Sequence, residues 1–156
     1  MKLSSPPSGF EAKFAGLLRA GGRDSLKPLI TWTEELSVGV DGIDRQHRHL
    51  MRLINEVDEV VQEGGTYQQF SPVLNELIDY TNTHFSNEEK LLEKNHSPGV
   101  AKHKKAHARL LEELLDWKKK AEKIKAEDMR EHMIFLRIWF PGHILGVDKK
   151  DADYLT

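Results

Sequence analysis

The stretch from His84 to His107, HFSNEEKLLEKNHSPGVAKHKKAH, holds four of the chain's eight histidines. His84 and Glu88 are four residues apart, and so are His103 and His107, with a Ser-Pro-Gly break between the two pairs. Residues i and i+4 of a helix lie one turn apart, about 6 Å along the axis, so each pair can reach one ion or two adjacent ions. Neutral imidazole and ionised carboxylate are both metal ligands. Three more candidates stand elsewhere: His47, His143 and Asp148. His143 and Asp148 are five apart, a helical rotation of about 140°, so Asp148 must reach back from a helix end.

Such groups need elements to position them, and the apolar periodicity supplies four helices. The first is expected from near Asp44 to before Gly64-Gly65, with the stripe His47, Leu50, Met51, Ile54, Val57, Val61. The second is expected to start at Ser71-Pro72 and break at Asn95-His96, with the stripe Leu74, Leu77, Thr81, His84, Glu88, Leu91. Ser97-Pro98 is expected to start the third, with the stripe Val100, His103, His107, Leu110, Leu114, Trp117. The fourth should run from about Asp128 to Gly146, with Met129, Met133, Leu136, Trp139 or Phe140, and His143 on its stripe. No strand pattern competes. The expected fold is all-α: an antiparallel up-down-up-down four-helix bundle over residues 29–156, preceded by an N-terminal extension over residues 1–28. Within that extension, Phe10, Phe14, Leu17 and Leu18 suggest one short amphipathic helix that would need a surface to dock on.

The histidines occupy the apolar face. His47, His84, His103, His107 and His143 fall in phase with the core stripes, and so does Glu88. Burying a carboxylate without a partner costs several kcal/mol. Five imidazoles and a carboxylate aimed into one small core make a poor core and a good metal site. The levels also agree: Glu88 lies about ten residues before the Ser97-Pro98 break and His107 about ten after it. Seven ligands exceed the needs of one four-coordinate zinc. They suit a dinuclear centre bridged by Glu88 and Asp148. The donor types admit iron, zinc, copper, nickel or manganese, and iron is favoured by ligand type and number. His49, His96 and His132 fall off this constellation.

Composition narrows the classes. With no cysteine, disulfides, thiolate zinc sites, iron–sulfur clusters and Cys-linked haem are excluded. A net charge of -2 argues against nucleic-acid or anionic-membrane partners. No apolar run approaches the ~20 residues of a membrane helix, and no signal-peptide core is present, so a cytoplasmic location is expected.

The segments WTEELSVGVDGIDRQHRHL, HFSNEEKLL, HKKAH and WFPGHILGVDKK resemble the hemerythrin family, most closely its single-domain bacterial members. The likeness spans roughly residues 32–154 and includes the full H…HxxxE…HxxxH…HxxxxD order. It implies a non-haem centre of two iron ions with an oxo or hydroxo bridge. His103, His107 and His143 would hold one iron. His47 and His84 would hold the other, which keeps an open position. Glu88 and Asp148 would bridge. Leu50, Phe85, Trp139 and Ile144 would line a dry oxygen pocket. The implied function is reversible dioxygen binding for storage, delivery or buffering. The alternative is oxygen or redox sensing through a protein partner engaged by residues 1–28. The length leaves no room for an attached signalling domain, which favours binding. An enzyme ranks last, because no acid–base pair stands apart from the ligands. A ferritin-like site would need four carboxylates and two Glu-x-x-His motifs. This chain has one such motif, Glu93 to His96, off the stripe. Two departures from the family pattern stand out: Pro141-Gly142 before His143, expected to kink the helix, and Ser97 where a Tyr often precedes Pro-Gly.

Overall fold

A computed structural model describes residues 27–156. The amphipathic helix expected near residues 10–20 lies outside them. Four helices build an antiparallel up-down-up-down bundle: α1 Asp41–Gln62, α2 Tyr67–Lys94, α3 Val100–Lys120 and α4 Ala126–Gly146. Among the described residues there is no strand, and no helix is long and apolar enough to cross a membrane.

Each helix forms for a local reason, and each start differs from the sequence expectation. In α1, Ile43, His47, Leu50, Ile54, Val57 and Val61 are buried at alternating spacings of three and four, which is one face of a helix. The helix begins at Asp41 rather than near Asp44. Asp44 sits inside the first turn, where its carboxylate accepts hydrogen bonds from the Val38 N–H (2.9 Å) and the Ser37 hydroxyl (2.6 Å). It thereby ties the preceding arm to the helix. That arm is also held by Asn55, which exchanges hydrogen bonds with both the N–H and the carbonyl of Ile30.

α2 starts a full turn before Ser71-Pro72. The Gln69 side chain accepts the Thr66 N–H at 2.8 Å, and Phe70 is buried edge-on against Tyr67. Anchor and cap together outweigh the one backbone bond that Pro72 removes on the exposed side of the helix. Near its far end the buried residue is Leu92, with Leu91 only partly covered. α3 starts at Val100, after Gly99, because Ser97 is engaged elsewhere, as described below. α4 starts at Ala126 and runs through Pro141 to Gly146.

The two tight corners use the same device. After α1, the Gly64 N–H bonds to the Val61 carbonyl and the Gly65 N–H to the Val60 carbonyl. After α2, the His96 N–H bonds to Glu93 and the Ser97 N–H to Leu92. These are Schellman closures, which place one residue in the left-handed region. Gly64 (φ 73°) fills that place at the first corner and His96 (φ 56°) at the second. Gly65 has no room for a side chain: a Cβ would lie 2.4 Å from Val60 Cγ1 and 2.8 Å from the Val60 carbonyl oxygen. Gly65→Ala is therefore expected to destabilise the fold by about 1–3 kcal/mol, read as a lowered midpoint in urea at unchanged slope.

The bundle's two ends differ. One is apolar, filled by Val57, Val61, Phe70, Leu74, Leu114, Trp117, Met129 and Met133. Fully burying side chains of this size contributes about 1.5–3 kcal/mol each, which allows the other end to carry polar groups. There the chain leaves α4 in two short 3-10 turns, Asp148–Lys150 and Ala152–Tyr154. Asn95 donates from Nδ2 to the carbonyls of Tyr154 (2.8 Å) and Thr156 (3.0 Å), which fixes this tail to the α2–α3 corner.

Candidate metal centre

The polar end contains His47 from α1, His84 and Glu88 from α2, His103 and His107 from α3, His143 from α4, and Asp148 just beyond it. Antiparallel order explains the convergence. His47 is early in α1, His84 and Glu88 late in α2, His103 and His107 early in α3, and His143 late in α4. All seven residues are buried, with Glu88, His103 and Asp148 fully inaccessible.

The carboxylates divide the imidazoles into two sets. Glu88 Oε1 faces His47 Nε2 (3.6 Å) and His84 Nε2 (3.5 Å). Glu88 Oε2 faces His103 Nε2 (3.5 Å) and His107 Nε2 (3.2 Å). Asp148 repeats the division: Oδ2 lies 3.1 Å from His47 Nε2, while Oδ1 lies 3.0 Å from His103 Nε2 and 2.9 Å from His143 Nε2. One set is His47 and His84; the other is His103, His107 and His143. The ligating atoms of His103, His107, His143, Glu88 and Asp148 lie within 4.8 Å of one another, and so do those of His47, His84 and Glu88.

The donor chemistry fits a metal. His47 Nε2, His103 Nε2 and both oxygens of Glu88 and Asp148 have no hydrogen-bond partner despite complete burial. Buried polar atoms are ordinarily paired, and leaving one unpaired costs about 1–3 kcal/mol. Atoms that converge without bonding to one another are what cations would satisfy. The outward nitrogens of three histidines carry acceptors: His84 Nδ1 on Gln46 Oε1 (2.7 Å), His103 Nδ1 on Asp151 Oδ2 (2.9 Å) and His107 Nδ1 on Glu89 Oε1 (2.9 Å). An acceptor there holds the ring proton on Nδ1 and leaves the Nε2 lone pair facing inward. Two rings are also clamped by stacking. Phe85 lies on His107 at 3.6 Å and 4° between planes, and Trp139 on His143 at 4.5 Å and 9°. Pro141 does not displace His143 from the cluster.

Electrostatics follow from the same contacts. Burial opposes charge on His47 and His103, but Asp148 and Glu88 outweigh it and raise them to about 9 and about 10. Burial dominates at His84 and pushes it down to about 4. Burial and mutual repulsion would raise Glu88; His103, His107 and His47 instead hold it well below the carboxylate range. Asp148, facing His143, His103 and His47, is also held low against its burial.

A cavity of about 20 Å³ adjoins the cluster. It touches His47, His84, His143 and Asp148, and its wall includes Leu50, Phe85, Trp139 and Ile144, the four residues assigned to a pocket from sequence. Thr81, Phe140 and several leucines complete it. The three histidines set aside do lie elsewhere. His49 packs on Tyr80, His96 is exposed in the corner, and His132 stacks on Trp117 at the apolar end. Sequence reasoning missed Gln46, Glu89 and Asp151. Each is a polar residue one or three positions from a ligand candidate, which was the available signal.

An antiparallel four-helix bundle with a buried His and carboxylate cluster between its helices defines a non-haem metalloprotein. The model of the hemerythrin HHE cation binding domain matches residues 38–155, and the chain belongs to the hemerythrin family, an oxygen-binding non-haem iron fold. It is 31% identical over 126 residues to a bacteriohemerythrin of Stenotrophomonas maltophilia, with 80% of each chain covered. It is 32% identical over 122 residues to a bacteriohemerythrin of Methylococcus capsulatus, with 78% of this chain and 92% of the relative covered. A crystal structure of a hemerythrin mutant superposes with a TM-score of 0.75 at 28% identity, covering 83% of this chain and 98% of that one.

Proposed function

We propose that this chain binds dioxygen reversibly at a di-iron centre, in storage, delivery or buffering. The observation that carries this reading is the division of the carboxylate oxygens. Glu88 and Asp148 each turn one oxygen to His47 and one to the opposite set. That arrangement suits two bridged ions better than one. His103, His107 and His143 would hold one ion and His47 and His84 the other. Two ferrous ions, when bound, supply the electrons with which dioxygen is taken up and returned.

The chain's own residues account for the rest. The set with two imidazoles has fewer ligands, and both of its imidazoles line the cavity, whereas of the other three only His143 does. The cavity exceeds the roughly 10–15 Å³ that one water-sized molecule needs, so a diatomic gas is a suitable guest. Its wall is largely apolar, built from Leu50, Phe85, Phe140, Ile144 and the Trp139 ring, with Thr81 its one hydroxyl, which disfavours water beside the ions. Stacked Phe85 and Trp139 hold two imidazoles in fixed planes.

The test is the near-UV and visible absorption of iron-loaded protein, reduced without air, exposed to oxygen, then purged. Charge-transfer bands that appear in oxygen and vanish on purging are expected. Bands that persist would replace the carrier reading with irreversible oxidation, as in a redox sensor. Absence of bands throughout would remove iron from the account.

A further inference from the structure

The outward side of the cluster is built unequally, and this has a consequence for metal binding. His103 and His107 each donate an Nδ1–H hydrogen bond to a carboxylate, Asp151 and Glu89 respectively. His84 donates its Nδ1–H to the neutral amide oxygen of Gln46, and His47 Nδ1 has no partner among the described residues. Carboxylate backing draws the ring toward imidazolate and makes Nε2 a stronger donor; an amide does so far less.

Asp151 is held in place by more than His103. The Ser97 hydroxyl donates to Asp151 Oδ1 at 3.1 Å and accepts the Gly99 N–H at 3.1 Å. Gly99 leaves the space: a Cβ there would lie 2.7 Å from Asp151 Oδ1. The Ser97-Pro98-Gly99 corner is thus shaped around this carboxylate, and Ser97 occupies the place expected for a Tyr.

We propose that the two metal positions have graded affinity: the one at His103, His107 and His143 fills first and empties last because Asp151 and Glu89 back two of its three imidazoles, while the one at His47 and His84 exchanges more freely. Asp151 and Glu89 are positioning residues, acting through His103 and His107. The inference rests on the two-metal reading above. Its result is a centre whose more labile ion is the one at His47 and His84, both of which line the cavity.

The experiment strips ferrous ion from the full-length loaded protein with excess chromogenic chelator, without air, and follows release by absorbance. The native chain is expected to lose iron in two phases of one equivalent each. Asp151→Asn and Glu89→Gln keep the size and an acceptor oxygen but remove the charge. Each should speed the slow phase by about 10-fold or more and leave the fast phase unchanged. Gln46→Glu adds the missing charge and should slow the fast phase, which a merely structural role would not do. Single-phase release of two equivalents from the native chain, or variants that alter both phases alike, would overturn the proposal. A native chain that holds one ion or none would overturn the two-metal reading with it.

Discussion

On the two-metal reading, replacing Glu88 by Gln is expected to cut the iron content of the protein from two ions per chain to one at most. Glu88 is fully buried, and both of its oxygens are in use. Oε1 faces the His47 and His84 side, and Oε2 faces His103 and His107. Gln has the same shape but one oxygen. Whichever way the amide turns, one side receives an NH2 group whose hydrogens repel a cation. The charge lost is also one of only two carboxylate charges set against the two dipositive ions in a site of five neutral imidazoles. Removing a group that only hydrogen-bonds a metal ligand costs about 10–100-fold in affinity, and loss of a direct ligand costs more. Iron per chain after anaerobic loading and desalting measures the effect, with far-UV circular dichroism checking that the helices persist. Two ions retained by Glu88→Gln would remove the bridging role. Asp148→Asn should behave alike, since Asp148 also turns one oxygen to each side.

The same seven positions show what a sequence can disclose. His84 with Glu88, and His103 with His107, were legible because a polar group on an apolar stripe is anomalous and the i, i+4 spacing has one geometric meaning. Their convergence followed from antiparallel order alone. Asp148 was harder, because its place depends on a tail pinned through Asn95, a contact between residues 59 and 61 apart in sequence. Glu89, Gln46 and Asp151 were invisible because they lie on the outward side of their elements. There a polar residue is ordinary, and what distinguishes these three is a partner on another helix. Helix starts were misread wherever Ser-Pro suggested one. Ser71-Pro72 lies inside α2 because Phe70 supplies an apolar anchor upstream. Ser97-Pro98 lies before α3 because Ser97 serves Asp151 and Gly99. The Ser-Pro signal is local, and both outcomes were decided by tertiary contacts.

Protons and metal ions should compete for this site, and the competition sets the second large effect. Take the protein loaded with no metal. His47 and His103 have affinities for protons raised from 6.5 to about 9 and about 10, because Asp148 and Glu88 outweigh their burial. The folded chain then holds two protons that the unfolded chain releases between pH 6.5 and 9–10. That contribution to stability is complete below pH 6.5 and is lost as pH rises through this window, by at most about 1.4 kcal/mol per pH unit for each proton. On the acid side the sign reverses. Burial pushes His84 down to about 4, so the unfolded chain gains a proton below 6.5 that the folded chain refuses. Glu88 and Asp148, held low, lose their contribution as pH falls below the ordinary carboxylate range. Metal-free protein should therefore be most stable near pH 6.5 and melt earlier on either side. Metal changes the alkaline side. Each bound ion takes the place of one of these protons, the His47 proton at one position and the His103 proton at the other, so apparent affinity for each ion should climb about 10-fold per pH unit from pH 6.5 toward 9. The gap in melting temperature between loaded and metal-free protein should widen across the same range. Zinc is a suitable redox-silent probe, with thermal melts from pH 5 to 9 and proton release read by an indicator dye in weak buffer. A metal-free protein that gains stability from pH 6.5 to 9, or metal uptake with no proton release, would show that Glu88 and Asp148 are not the groups that hold the charge of this core.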